Sequence, residues 1–347
     1  MRPPVLRSLS GLLAVLGVTR LSGTIVSVAL PQIVGSLQGT QSQYTWVVTA
    51  TLLASTASTP IWGKLADLFP KKRLLQISIV LFIVASLLCG FAQTTGQLIA
   101  FRAVQGLGMG ASQVLVQATI AALVSPKERG RYNGLIGGVM AVATVGGPLI
   151  GGALTDISWL SWRWCFFVGV PFMLFALVVL TRTLNLVEER REDVRIDYGG
   201  ATLIATGVST LLLWVTFVGD SFAWISWQTG AMVLGGLALL ALAVRVEARV
   251  AAPVIPLRVI VRKEAAIAIV ASIAVGMAMF GGAVFLGQYF QLARGYSPTA
   301  AGLLTTPLLL GRVRWMLPVA KGTLRRRRPL RVGGGRRAGG YCAVGVR

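Results

Sequence analysis

Apolar residues fall in long runs, and the short stretches between them gather most of the charge. As a helix, a run of about 20 residues crosses roughly 30 Å of hydrocarbon. Runs of this kind stand at 9–30, 44–63, 74–93, 97–123, 133–153, 163–183, 199–218, 227–246 and 265–290, with a shorter one at 298–311. The pattern predicts an all-α polytopic membrane protein whose first span is itself the targeting signal.

Charge alternates between the connections. Those at 64–73, 124–131 and 245–263 carry Lys64, Lys71, Lys72, Arg73, Lys127, Arg129, Arg131, Arg245, Arg249, Arg258, Arg262 and Lys263. The opposite connections, 31–43, 94–96, 154–162 and 219–226, carry no Lys or Arg. The positive-inside rule therefore places the N-terminus in the cytoplasm; the cell (inner or plasma) membrane is the expected location of the multi-pass chain. Trp46, Trp159, Trp162, Trp164, Trp224 and Trp227 gather on the uncharged side, as an interfacial aromatic belt does. The stretch "LNLVEERREDVRIDY", 184–198, is the one long connection of mixed charge. It predicts a bundle of six helices over 1–183, a cytoplasmic linker over 184–198, a helix pair over 199–247 and the start of a second bundle over 248–311.

Composition agrees: 55% of residues are hydrophobic and 13% charged, against about 25% charged in an ordinary soluble domain. Histidine is absent, which removes histidine metal sites and histidine proton relays. Cys89 and Cys165 lie in apolar runs and Cys342 near the end, with no metal or disulfide spacing. No loop gathers a nucleophile and a base, and "GLGMG" lies inside a span where it cannot cradle a nucleotide. We expect no enzyme activity, no cofactor and no metal.

From Arg312 the pattern changes: residues 312–347 hold ten Arg, one Lys and no acid, half of the net charge of +22. Such a segment reads either as a basic arm for nucleic acid or anionic lipid or as out-of-frame translation of a GC-rich gene. The switch near residue 311 falls inside an apolar run, where an interrupted helix would leave backbone groups unsatisfied. The frameshift is the expectation adopted, with no nucleic-acid partner.

Several stretches carry candidate chemistry. "GKLADLFPKKR", 63–73, sets Asp67 as the one acid among Lys64, Lys71, Lys72 and Arg73. The plainer reading is orientation by charge; the functional alternative is a latch between Asp67 and a neighbouring helix N-terminus. "LIAFRAVQGLGMG" puts Arg102 in an apolar helix, at a cost of roughly 3 kcal/mol. Arg102 either snorkels to the outer surface, about 9 Å away by helical rise, or serves function with Gln105. "VGGPLIGG", 145–152, packs four glycines and a proline into an apolar run. In lipid, glycine admits close helix approach and proline bends a helix whose freed carbonyl finds neighbours.

Together these stretches resemble the major facilitator superfamily. Gly63, Asp67, Lys71 and Lys72 match its cytoplasmic loop signature, with Pro70 in place of a glycine. Arg102, Gln105, Gly106 and Gly110 are similar to its fourth-helix signature, whose arginine is implicated in proton coupling. Gly134, Gly147, Pro148 and Gly151 look like the fifth-helix signature of drug:proton antiporters, with Ala143 where a further glycine is usual. "LSGTIVSVALP" resembles the first helix of the fourteen-span, EmrB/QacA-type branch, in which many relatives have an acid at Ser22 and an asparagine at Ser27. The pair over 199–247 corresponds to the two central helices of that branch.

The resemblance implies export of small amphipathic, drug-like substrates across the lipid bilayer by alternating access, in exchange for protons. It gives Gly63, Asp67, Lys71 and Lys72 the cytoplasmic gate, Arg102, Gln105 and Asp156 the coupling or polar pathway, and Ser22, Thr24 and Gln105 the substrate pocket. None of the eleven acids lies in the middle of a span. Coupling therefore uses Asp156 or Asp220 with Arg102, or a residue beyond this chain, or does not occur. A truncated remnant without flux and a metabolite facilitator of the same superfamily remain alternatives.

Overall fold

A computed structural model describes residues 3–124, 129–157, 161–184, 198–219, 221–247 and 263–296, with 300 and 304. The chain divides into two units, Met1–Leu309 and Leu310–Arg347; the second lies outside the described residues, and with it the basic tail. The tenth apolar run except residues 300 and 304, the linker over 184–198 except Leu184 and Tyr198, and Asp220 also lie outside them.

The first unit is helical: α1 (Pro3–Ser36), α2 (Gln41–Leu68), α3 (Lys71–Phe91), α4 (Thr95–Leu123), α5 (Arg129–Asp156), a short α6 (Trp164–Phe167) running at Val168 into α7 (Gly169–Thr183), α8 (Tyr198–Phe217), α9 (Trp227–Glu247) and α10 (Lys263–Gln288), followed by a π-helical turn (Tyr289–Ala293). Among the described residues the only β pairing is an isolated bridge between Val218 and Phe222. Capping residues start the helices where the sequence turns polar. Thr40 and Gln43 form a reciprocal capping box at α2, and the Thr94 hydroxyl accepts from the Gln97 amide at α4. Pro31, Pro60 and Pro148 lie inside α1, α2 and α5, each of which runs through its proline.

The helices alternate in direction. The Thr95 hydroxyl at the start of α4 donates to Leu37 O just past α1 (3.5 Å), and Trp46 at the start of α2 meets Phe217 at the end of α8 with ring centroids 4.7 Å apart. At the other end the Ser8 hydroxyl of α1 donates to Thr183 O of α7 (2.9 Å). α4 lies between α2 and α3, α1 packs on α5 and α7, and α8 pairs with α9 while leaning on α2. Two apolar clusters fill the interior, one around Leu12, Leu16, Phe82, Leu115 and Met173, the other around Ile25, Ile33, Leu98, Cys165 and Phe166.

Among the described residues, seven helices are long and apolar enough to cross a membrane. The run at 44–63 does not qualify. It forms α2, 28 residues and about 42 Å long, but Ser, Thr and Gln dilute its apolar character. At 265–290 only Ala265–Met277 forms a shorter apolar helix over described residues.

Candidate functional site

Arg102 does not snorkel. It is 4% exposed and turned into the α3–α4 interface, where Nη1 donates to Gln105 Oε1 (2.6 Å). Gln105, fully buried, passes the contact on by donating from Nε2 to Ser86 Oγ of α3 (2.8 Å). Arg102 Nε is buried without a hydrogen-bond partner. Asp67 is the one acid whose side chain is described, and it is exposed at the far end of α2. A guanidinium carrying one charge-assisted bond and no counter-ion among the described residues is costly to bury, so the site holds electrostatic energy for a partner to release.

α4 builds this site through its small residues. A Cβ on Gly108 would come within 2.9 Å of Phe82 N, so α3 approaches on that face, and Ser112 adds a hydroxyl bond to Ser78 (3.2 Å). Gly106 and Gly110, four residues apart, face the other neighbour: a Cβ on either would run into the backbone carbonyl of Thr51 or Ser55 in α2. This small-xxx-small spacing lets backbones touch where lipid gives no hydrophobic drive for association.

α1 and α5 meet in the same way. A Cβ on Gly147 would overlap the Thr24 side chain, and one on Gly151 would lie 2.8 Å from Ile25 O. The Thr24 hydroxyl, besides bonding its own helix, donates to Ala143 O (3.3 Å). Pro148 lies inside this contact. Gly134 is not part of it: it is exposed, and a Cβ there would meet nothing within 4 Å. Asp156 ends α5, and its side chain lies outside the described residues.

The three residues assigned to a substrate pocket differ in their surroundings. Ser22 is 4% exposed, Gln105 is committed to α3, and Thr24 is half-buried against α5. The gate residues stay near one another in sequence at the α2–α3 turn, where the Phe69 amide closes on Leu65 O (2.8 Å) and the Leu74 amide on Pro70 O (3.1 Å). Lys71 and Lys72 are half-buried in the first turn of α3, and Lys64 is buried. Asp67 is exposed, and no hydrogen bond or ion pair joins it to another described residue. A Cβ on Gly63 would meet only Val114 Cγ1, at 3.8 Å.

Exposed positions sort the helices into two kinds. Past the exposed Arg73 in its first turn, α3 exposes Ile77, Val80, Val84, Leu88 and Phe91, and α7 exposes Phe172, Leu174, Phe175 and Val178 before Thr181 and Arg182 at its end, as a lipid-facing surface with polar ends requires. On α1, α2 and α4 polar side chains are exposed as well: Arg20 and Ser27, Thr56 and Thr59, Gln113 and Gln117. Polar groups in a span favour the bundle interior or a water-filled cavity over lipid.

One residue escaped the sequence reading. Arg163, before α6, donates from Nη1 to Gly90 O (3.1 Å) and Ala92 O (2.9 Å), and its guanidinium lies 4.6 Å from the Trp162 ring. It satisfies carbonyls at the end of α3, where the helix dipole favours a cation. The signal was its position: a lone Arg bordering a connection that otherwise has no basic residue. Arg163→Ala is expected to cost about 2 kcal/mol and to let a thiol reagent reach Cys89 and Cys165, both buried beside this contact. Labelling in membranes should rise more than tenfold, with an intermediate rise for Arg163→Lys, which lacks the planar fork. Unchanged protection in both variants would remove the bracing role.

A family model described as Major Facilitator Superfamily matches residues 12–345. The chain is 40% identical over 288 residues to an uncharacterized MFS-type transporter of Mycobacterium tuberculosis, covering 83% of this chain and 41% of that protein. It is 33% identical over 307 residues to the multidrug transporter protein MdtP of Bacillus subtilis, covering 88% of this chain and 56% of that one. The chain thus spans about half the length of the curated relatives it matches. In fold it is similar to a bacterial homologue of the human lysosomal transporter Spinster, solved inward-facing and occupied, with a TM-score of 0.51, 16% identity, and coverage of 90% of this chain and 74% of that one.

Proposed function

Since the chain belongs to the major facilitator superfamily, we propose that it forms part of an exporter of small amphipathic, drug-like compounds. In this reading it sits in the cell membrane with its N-terminus in the cytoplasm and exchanges substrate for protons by alternating access, as a member of the fourteen-span branch. The observation that carries the reading is the split between exposed surfaces, apolar along the middle of α3 and α7 but partly polar on α1, α2 and α4. The polar helices would line the substrate path, and the others would face lipid. The name of the Bacillus subtilis relative supports multidrug transport.

Gly63, Asp67, Lys71 and Lys72 are assigned to the cytoplasmic gate. Arg102, Gln105 and Asp156 are assigned to coupling, and the α1–α5 contact at Thr24, Gly147 and Pro148 to the bending that alternation requires. Gln113 and Gln117 replace Ser22 and Gln105 as proposed substrate contacts, because they are exposed and make no hydrogen bond among the described residues.

The test is efflux of a fluorescent amphiphile from proteoliposomes holding the full chain under an imposed pH gradient. Flux should collapse with a protonophore. It should fall at least about fivefold in Gln113→Leu/Gln117→Leu, roughly 1 kcal/mol of lost contact, and stay unchanged in Val80→Thr/Val84→Thr on the lipid face. Absence of gradient-dependent flux from the unaltered chain would sink the reading.

A further inference from the structure

Resting on the transport reading above, we propose that the path through this chain selects anionic amphiphiles, compounds bearing a carboxylate, sulfonate or phosphate on an apolar body, over cationic ones.

The charge carried inside the spans has one sign. Asp67, Asp156, Glu247 and Glu264 stand at or next to helix ends, and the other acids fall in the connections. None of the seven apolar spans contains Asp or Glu. Arg20, by contrast, lies near the middle of the first run, and Arg102 lies inside the fourth, about 9 Å from its outer end by helical rise. Arg102 is 4% exposed, spends one bond on the neutral Gln105 and leaves Nε without a partner, so its positive charge is not cancelled by a described side chain. In a low-dielectric interior such a charge acts at a distance, because screening that weakens it in water is missing. Gln105, on the same buried chain, turns its amide donor to Ser86, so this network carries the arginine's polarity toward α3 without neutralising it.

Arg20 stands on α1, the other basic residue inside a span. It is exposed, has an interaction of its own, and shares its face with Ser27 one helical repeat further on. A substrate passing the exposed side of α1 and α4 therefore meets hydroxyl and amide groups under a positive potential. An organic cation would be repelled there and would find no buried carboxylate to pair with among the described residues. An anion would supply the counter-charge that no described side chain gives Arg102, and the energy spent in burying that arginine becomes attraction for the ligand.

Tetraphenylborate and tetraphenylphosphonium separate the possibilities, because they match in size and shape and differ in the sign of charge. Binding of each is measured by quenching of tryptophan emission on the full chain in nanodiscs of neutral lipid, with empty discs subtracted. The quantity compared is the ratio of the two affinities between unaltered protein and Arg102→Met or Arg20→Gln. The basic tail contributes alike to all three and drops out of that comparison. The unaltered chain should favour the borate by about tenfold or more, as a charge at close range in a poorly screened site requires, and each variant should lower the ratio several-fold. Arg20→Gln serves if Arg102→Met does not fold, since Arg20 is exposed. Preference for the phosphonium, or a ratio unmoved by the substitutions, overturns the selectivity while leaving transport standing. Binding of neither ion overturns both.

Discussion

Replacing Gly106 or Gly110 by valine is expected to leave almost no folded protein in the membrane. A Cβ on Gly106 would run into the Thr51 carbonyl and lie 3.0 Å from Thr51 Cα and 3.1 Å from Ala54 Cβ. One on Gly110 would run into the Ser55 carbonyl and lie 3.0 Å from both Ser55 Cα and Ser58 Oγ. Most of these atoms are backbone and cannot turn aside as a flexible side chain would, so α2 must move away from α4 as a body. Overpacking alone costs about 1–3 kcal/mol. Valine adds two further carbons, and displacing α2 also loosens the contacts it makes with α8. The expected loss is therefore upward of about 3 kcal/mol per site. Gly138→Ala is the control: a Cβ there meets nothing within 4 Å, and alanine gains up to about 1 kcal/mol of helix propensity. Size-exclusion profiles and thermal melts of the three variants decide the matter. A Gly106→Val protein that elutes and melts like the unaltered chain would show that the α2–α4 approach is not as close as described.

The spans were legible because hydrocarbon thickness imposes a length that few other structures need, and most predicted runs coincide with helices to within a few residues. α2 shows the limit of that signal. Its hydroxyl and amide residues lower its apolarity below that of a lipid-exposed span, yet the helix forms, since α4 and α8 cover much of it. The motifs told which residues are unusual but not which neighbour each one meets. Arg102 had two readings by helical rise, and only the position of Ser86 on α3 shows that Gln105 draws it inward. Gly134 and Gly147 look alike in sequence; one faces open space and the other faces Thr24, because α1 contacts only part of α5. Arg163 was hidden for the same reason, as its partners Gly90 and Ala92 lie more than seventy residues away. What one helix says about itself is periodic and local, whereas the pairing of helices depends on contacts that no single stretch encodes.

That dependence on a partner helix makes the α1–α5 contact testable by compensation. Gly147→Ala places a methyl on the Thr24 side chain, and Gly147→Val places more, so α5 must shift or Thr24 must give up its bond to Ala143 O. Alanine at 147 is expected to cost about 2 kcal/mol and to reduce efflux at least tenfold, since a contact forced apart can no longer close during each cycle. Thr24→Gly removes the atoms in the way. Alone it should cost roughly 1 kcal/mol through helix propensity and the lost hydroxyl bond. Combined with Gly147→Ala it should restore much of the melting temperature and of the flux, giving a favourable coupling of about 1–2 kcal/mol in a double-mutant cycle. The sign of that coupling is the discriminating quantity. If Gly147 matters only by loosening α5 around Pro148, removing Thr24 atoms brings no relief and the two losses add. If the helices meet as closely as Gly147 and Thr24 require, the second substitution repairs the first.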